Sequence, residues 1–178
     1  MVIAGLKSAA LRNLMKVRFA VVTLLCACFL SGCLQVAHFY PVQGPLAAQT
    51  PPPIYTGRIT GVINSGSISA RLDNGQQFSG HWQAQSVGAL AKQSRAGVVP
   101  PFNLSAEWDA VYGPGFYTAH VLGAHLFART TLTGSQGGAL HVEMISQPVE
   151  TADAKDVVAP NISGVAKDER GNVYKVAF

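Results

Sequence analysis

The stretch YTGRITGVINSGSISARLDNGQQFSGHW, residues 55–82, decides the fold. Tyr55 to Ile63 is rich in β-branched side chains. Ser67 to Leu72 alternates, with Ile68, Ala70 and Leu72 on one face and Ser69 and Arg71 on the other. Asp73-Asn74-Gly75 interrupts the pattern, and Gln76 to Trp82 resumes it with Phe78 and Trp82 in phase. Asn-Gly between two alternating runs is hairpin chemistry, because a tight type I′ turn needs positive φ at both central residues. One face of this hairpin is therefore buried and the other is wet. Gly57, Gly61, Gly66 and Gly80, in or beside these strands, imply the bends and bulges of a small, curved sheet.

Toward the C-terminus the same grammar returns. Phe116 to Leu122 and Leu126 to Leu132 read as strands, and Gly134 to Gly138 is a turn into a further strand from Ala139 to Ile145. Gln147 to Pro160 is polar and reads as a loop. Ile162 to Lys167, a turn through Asp168-Glu169-Arg170-Gly171-Asn172, and Val173 to Phe178 make a last hairpin. In the middle, Ala84 to Gln93 reads as a short helix, and Val98-Val99-Pro100-Pro101 breaks it. Ser105 then precedes a helical turn, Ala106 to Tyr112, that Gly113-Pro114-Gly115 stops. Trp108 and Tyr112 stand four apart and share a helical face. The expectation for residues 54–178 is a mainly β domain: a small antiparallel barrel or sandwich of about seven or eight strands with one or two short helices.

The N-terminal segment is of a different kind. Lys7, Arg12, Lys16 and Arg18 precede an uncharged apolar run, Phe19 to Leu30, of about twelve residues. At about 1.5 Å per residue such a helix falls well short of a hydrocarbon core of about 30 Å, which favours a signal peptide over a permanent span. Met15-Lys16-Val17-Arg18 and the run already make a complete compact signal, so a second start stands at Met15. The run ends in Leu30-Ser31-Gly32-Cys33, which resembles the lipobox of bacterial lipoproteins. The resemblance implies cleavage after Gly32, diacylglycerol on the sulfur of Cys33 and an N-acyl chain on its amino group. Cys26 and Cys28 follow Leu25 and Ala27 inside the apolar run and read as small hydrophobes of the discarded signal. Leu34 stands where inner-membrane lipoproteins often carry Asp, so the same resemblance implies an outer-membrane protein facing the periplasm.

Cleavage there changes the charge argument. Four of the thirteen basic residues leave with 1–32 and all nine acidic residues stay, so the mature chain is neutral. The basic balance of the whole chain is a targeting feature, and a nucleic-acid partner loses its compositional support. Between Cys33 and Pro53 the prolines 41, 45 and 51–53 and the lack of a clear period suggest a stiff tether to the membrane. Its aromatic residues Phe39 and Tyr40, with His38, could instead pack on the domain or meet a partner.

Chemistry is sparse. His120, His125, His141 and Glu143 are the densest cluster of titratable groups, with His81 farther off and no HExxH spacing. His141 and Glu143, two apart on a strand, face the same way and are the weak candidates for a metal, which would need three or four convergent ligands. No GxSxG, GxxxxGK[ST] or helix-opening GxGxxG is present, so neither a catalytic site nor a cofactor is expected. If the barrel enclosed a cavity, Phe78, Trp82, Phe116, Phe127 and Leu140 would line it and hold a small apolar ligand. The alternative is a non-catalytic lipoprotein that binds an envelope protein or another envelope component. TLTGSQGGALHVEM with GVAKDERGNVYKVAF resembles the C-terminal pattern of small, β-rich bacterial lipoproteins of undefined activity, and GRITG…LDNGQQFSGHW is similar too. The resemblance implies a fold and no activity. It also implies cysteines in some members near the positions of Val142 and Ala166, a disulfide this chain lacks.

Overall fold

The computed structural model describes residues 33–178 apart from 63, 73–74, 87, 90–91, 93–94, 98–99, 125 and 148–160. The expected signal peptide with Leu30, Ser31 and Gly32, and most of the polar loop before Asn161, lie outside the described residues. The strands are β1 (Cys33–Gln43), β2 (Tyr55–Val62), β3 (Ser65–Arg71), β4 (Gln77–Ser86), β5 (Leu126–Gly134), β6 (Ala139–Gln147), β7 (Asn161–Asp168) and β8 (Val173–Ala177). They form a closed barrel in chain order, and antiparallel pairing of β8 with β1 completes the ring. The expected hairpin of β3 and β4 is there, with Ala70 opposite Phe78, and Ile59 of β2 stands opposite Ile68 of β3; Asp73 and Asn74 lie outside the described residues.

Residues 33–43 depart from the expected tether: they are β1. Ala37 and Phe39 are fully buried, and the Phe39 ring meets Tyr174 edge-on at 6.4 Å. Pro41 is accommodated because the β1–β8 register shifts between Pro41 and Gln43, a bulge that spares the ladder the N–H proline lacks. Only the chain from Gly44 to Ile54 connects rather than pairs.

Alternate residues of every strand point inward, where Phe39, Tyr55, Ile59, Ile68, Phe78, Leu132, Leu140, Val142, Met144, Tyr174 and Val176 make one continuous core. An eight-stranded barrel is about wide enough for side chains to fill, and this interior is filled. Outside the wall a second core is built by helix α1 (Ser105–Tyr112) and a π-helical turn, α2 (Tyr117–Val121), which cover Phe127, Ile145 and Val165 of β5, β6 and β7.

Two local expectations are corrected. Phe116 to Leu122 is helical, because Trp108, Tyr112, Phe116 and His120 stack in series at spacings of four, with centroids 5.4, 4.6 and 4.5 Å apart. Gly113, at φ 110°, turns the chain out of α1, and Asp109 Oδ1 accepts the Tyr117 N–H at 2.8 Å to start α2. The stretch Ala84 to Gln93 begins as the end of β4, and helical residues appear only from Gly88. Ser105 does not cap α1 with its hydroxyl; Asn103 Oδ1 accepts the Ser105 N–H instead. Among the described residues no helix is long and apolar enough to cross a membrane.

Val142 and Ala166 are direct register partners on β6 and β7, and both are fully buried. Directly opposed strand residues lie within the Cα separation a disulfide spans. The double variant Val142→Cys/Ala166→Cys is predicted to oxidise to a single intramolecular bridge and to gain about 3 kcal/mol against denaturant. Thiol titration and the unfolding midpoint check both.

Candidate functional site

One end of the barrel carries the β1–β2 connection and the β3–β4, β5–β6 and β7–β8 turns, and these enclose a cavity of about 450 Å³. Its floor is Tyr55, Leu72 and Phe78; Pro45, Leu46, Gln49, Gln136, Glu169 and Arg170 form its rim. Gln76 and Asn172, both buried, supply amides to the wall.

Asp168, the last residue of β7, organises this mouth. Its Oδ1 accepts the backbone N–H groups of Arg170 and Asn172, each at 2.9 Å. Its Oδ2 accepts the Asn172 side-chain amide and the Tyr174 hydroxyl, each at 2.8 Å. The carboxyl group thus closes the β7–β8 turn and anchors a tyrosine of the core. Asn172 extends the network by accepting the Leu46 N–H at 3.0 Å, which ties the β1–β2 connection to the turn. Gly44 makes that approach possible: at φ 92°, its missing Cβ would stand 2.8 Å from Asn172 Cα. Across the mouth, the Gln76 amide donates to the Gly137 carbonyl at 2.5 Å and ties the β3–β4 and β5–β6 turns together.

A second polar centre lies on the outer wall. Glu143 is completely buried under α1, and its carboxyl group takes four donors. Arg129, its register partner on β5, reaches Oε1 through Nε and a terminal nitrogen, both at 2.8 Å. The Leu104 N–H donates to Oε1 at 3.3 Å and the Trp108 indole to Oε2 at 2.9 Å. The Arg129 guanidinium is also held between the rings of Phe102 and Phe127, 5.5 and 5.1 Å from their centroids. These contacts clamp the helix to the barrel.

The residues singled out in the sequence do not form one lining. Phe78 and Leu140 are inside the barrel, and Phe78 alone of the five reaches the mouth cavity. Trp82 packs partly buried against the same core, its indole donating to the Thr60 carbonyl at 3.2 Å. Phe127 and Phe116 belong to the core outside the wall, beneath and beside α1. His141 and Glu143 do share a face, but Glu143 is committed to its four donors, and His141 Nδ1 meets the Thr131 hydroxyl at 3.1 Å while its ring lies against Phe102. His81 contacts Ser67 Oγ at 3.2 Å. Among the described residues no three His, Cys, Asp or Glu side chains converge as a metal site would require. Cys33 opens β1.

In the sequence the mouth residues Asp168 and Asn172 were visible only as turn residues, and Gln76 only as the first residue of a strand. Asp at the start of a turn announces the backbone bonds that Asp168 makes; nothing local announces its bond to Tyr174. Comparison with protein-family models, curated proteins and solved structures finds no match to this chain.

Two predictions follow from these centres. Glu143→Gln removes the ion pair and leaves Arg129 half-buried without its partner, so stability should drop by about 3 kcal/mol, with the Trp108 emission moving toward that of solvated indole. Equilibrium denaturation followed by fluorescence reads both. The Tyr174 hydroxyl is pushed up from its ordinary value near 10, first by burial and then by its bond to Asp168 and the charge there. Tyr112 and Tyr117 are raised too, again chiefly by burial. A raised pKa means that the folded state holds the proton more tightly than the unfolded chain, so this stability is present below pH 10 and lost as pH rises past it. The protein should therefore weaken steeply above pH 10. Tyr174→Phe should lose about 1 kcal/mol at neutral pH, the worth of a buried hydrogen bond, and show a shallower alkaline decline.

Proposed function

We propose that this chain is a lipid-anchored cell-envelope protein, held by acyl chains on Cys33, that works by binding rather than by catalysis, with its ligand at the barrel mouth. One observation carries the binding site: the interior is packed from Ala37 to Val176, whereas the mouth holds about 450 Å³ of open space. That volume falls within the range of small-molecule sites, about 300–1,000 Å³. A carrier of apolar ligands would need the space that Leu132, Leu140, Val142 and Tyr174 occupy.

The mouth's chemistry favours a small neutral ligand with polar edges and one apolar face. Leu46, Leu72 and Phe78 offer apolar surface, and Gln49, Gln76, Gln136 and Asn172 surround it with amides. Glu169 and Arg170 are adjacent and of opposite sign, and the Asp168 carboxyl group in the wall is turned to four donors of its own, so the mouth presents no surplus cation to draw an anionic ligand. A saccharide of one or two rings has this character. The anchor rests on Leu30-Ser31-Gly32-Cys33 and the basic and apolar segments before it.

The anchor is tested by intact mass of protein extracted from membranes: it should begin at Cys33 and carry acyl mass that Cys33→Ser lacks. The site is tested by titrating the mature protein with N,N′-diacetylchitobiose while following backbone amide resonances. Shifts should cluster at Gln76, Gln136 to Gly138 and Glu169 to Asn172, and Gln136→Trp, which fills the rim, should abolish them. Shifts spread elsewhere, or none at millimolar sugar with a fatty acid producing them instead, would overturn the assignment.

A further inference from the structure

The outer face of β1 is unlike the rest of the barrel surface. Its outward residues are Leu34, Val36, His38, Tyr40 and Val42, and four of them are large, apolar and exposed: Leu34 is 56% accessible, Val36 46%, Tyr40 37% and Val42 40%. Among the described residues only Ile54 and Leu122 join them as exposed large hydrophobics. The other walls follow the opposite rule. Outward positions on β2, β3 and β4 are Thr56, Arg58, Thr60, Ser67, Ser69, Arg71, Gln77, Ser79 and His81; those on β5 to β7 are polar or lie under α1 and α2. One strand therefore shows an apolar stripe along its length, which soluble surfaces seldom carry without a partner.

The position of the stripe in the chain identifies the partner. Cys33 is the first residue of β1, and Ala37 is already buried in the barrel, so about 13 Å of extended chain, at about 3.3 Å per residue, is all that separates the anchor from the core. Acyl chains on Cys33 would hold Leu34 and Val36 at the headgroup boundary with no slack for the barrel to stand off. The strand beside the stripe carries a cation whose stem can lie along it: Arg58 on β2, which shares a surface groove with Leu34, whereas Lys175 on β8, the register partner of Tyr40, holds its ammonium over the Tyr112 ring, 5.2 Å from the centroid. Apolar residues beside an Arg suit an anionic bilayer surface, where the cationic head reaches phosphates while apolar side chains enter the interface.

We infer that the barrel lies on its own membrane along β1, with Leu34, Val36, Tyr40 and Val42 in the interfacial layer and Arg58 at the phosphates. This inference rests on acylation at Cys33 as proposed above. The wall that α2 covers then faces water, and the mouth opens along the membrane surface.

The test uses the acylated full-length mature protein, its mass verified, in vesicles of phosphatidylethanolamine and phosphatidylglycerol. Val36→Cys, Val42→Cys and Thr118→Cys are each labelled with the environment-sensitive fluorophore NBD, the thioether at Cys33 being unreactive; Thr118 is exposed on α2 and lies outside the groove that Leu34 shares. Emission from positions 36 and 42 should shift to the blue on vesicle binding and be quenched by doxyl-labelled lipids, whereas position 118 on α2 should stay water-like and unquenched. Acylated protein whose position 42 remains water-like overturns the inference and leaves the anchor standing. Blue-shifted emission without doxyl quenching, accompanied by dimers in cross-linking, also overturns it, since the stripe would then be covered by a second copy. Protein without acyl mass overturns the anchor itself. Because all three positions are on outer faces, circular dichroism of the labelled variants should match that of the parent.

Discussion

Seven curved strands leave two open edges, and β1 closes both. Its pairing with β8, and its place beside β2 in the ring, satisfy backbone groups that would otherwise face solvent as aggregation-prone edges. Closure also completes the core, because Ala37 and Phe39 enter from β1 and the ring of Phe39 meets Tyr174, which in turn meets Tyr55 at 6.1 Å. From Tyr174 the network passes to Asp168, and from there to the mouth. The strand that follows Cys33 therefore governs the sheet, the interior packing and the order of the mouth together.

Glu143 plays the corresponding part outside the wall. A buried carboxylate is costly alone, and four donors from two segments, β5 and the start of α1, offset that cost. Its placement opposite Arg129 fixes the pair through sheet register, while Leu104 and Trp108 bring the helix to it. The aromatic series from Trp108 to His120 then continues from this fixed point, supported by the Tyr112 hydroxyl on the Gly164 carbonyl and by Lys167 on Glu107. A barrel that is filled inside thus gains a second core on its surface.

The hairpins were legible because their faces differ. Ile68, Ala70 and Leu72 alternate with Ser and Arg, and Asn74-Gly75, Gly134 to Gly138 and Asp168 to Asn172 mark the turns, so the class and the seven strands β2 to β8 were readable. Where both faces are apolar the period of two disappears. This hid β1, whose inward Ala37 and Phe39 alternate with outward Val36 and Tyr40, and whose Pro41 looked like a linker residue. It also hid which residues point inward: Phe127 and Leu140 lie on neighbouring strands, but α1 covers the outer face of β5 and β6, so one of them is buried outside the barrel and the other within. The helical course of Phe116 to Leu122 was obscured by its aromatic and β-branched residues, which fit a strand locally and become helical through the stack begun by Trp108. The mouth was invisible for a simpler reason, since its walls come from turns far apart in sequence.

The central claim is that the chain leaving Cys33 enters the barrel at once. Native-state amide hydrogen exchange of residues 33–178 addresses it most directly, read at Ala37, Phe39 and Tyr40 against Val142 and Val176 of the core. The account predicts that the β1 amides exchange as slowly as those of β6 and β8, through opening of the whole barrel. Exchange of the β1 amides at the rate of an unstructured chain, while β2 to β8 stay protected, would contradict it.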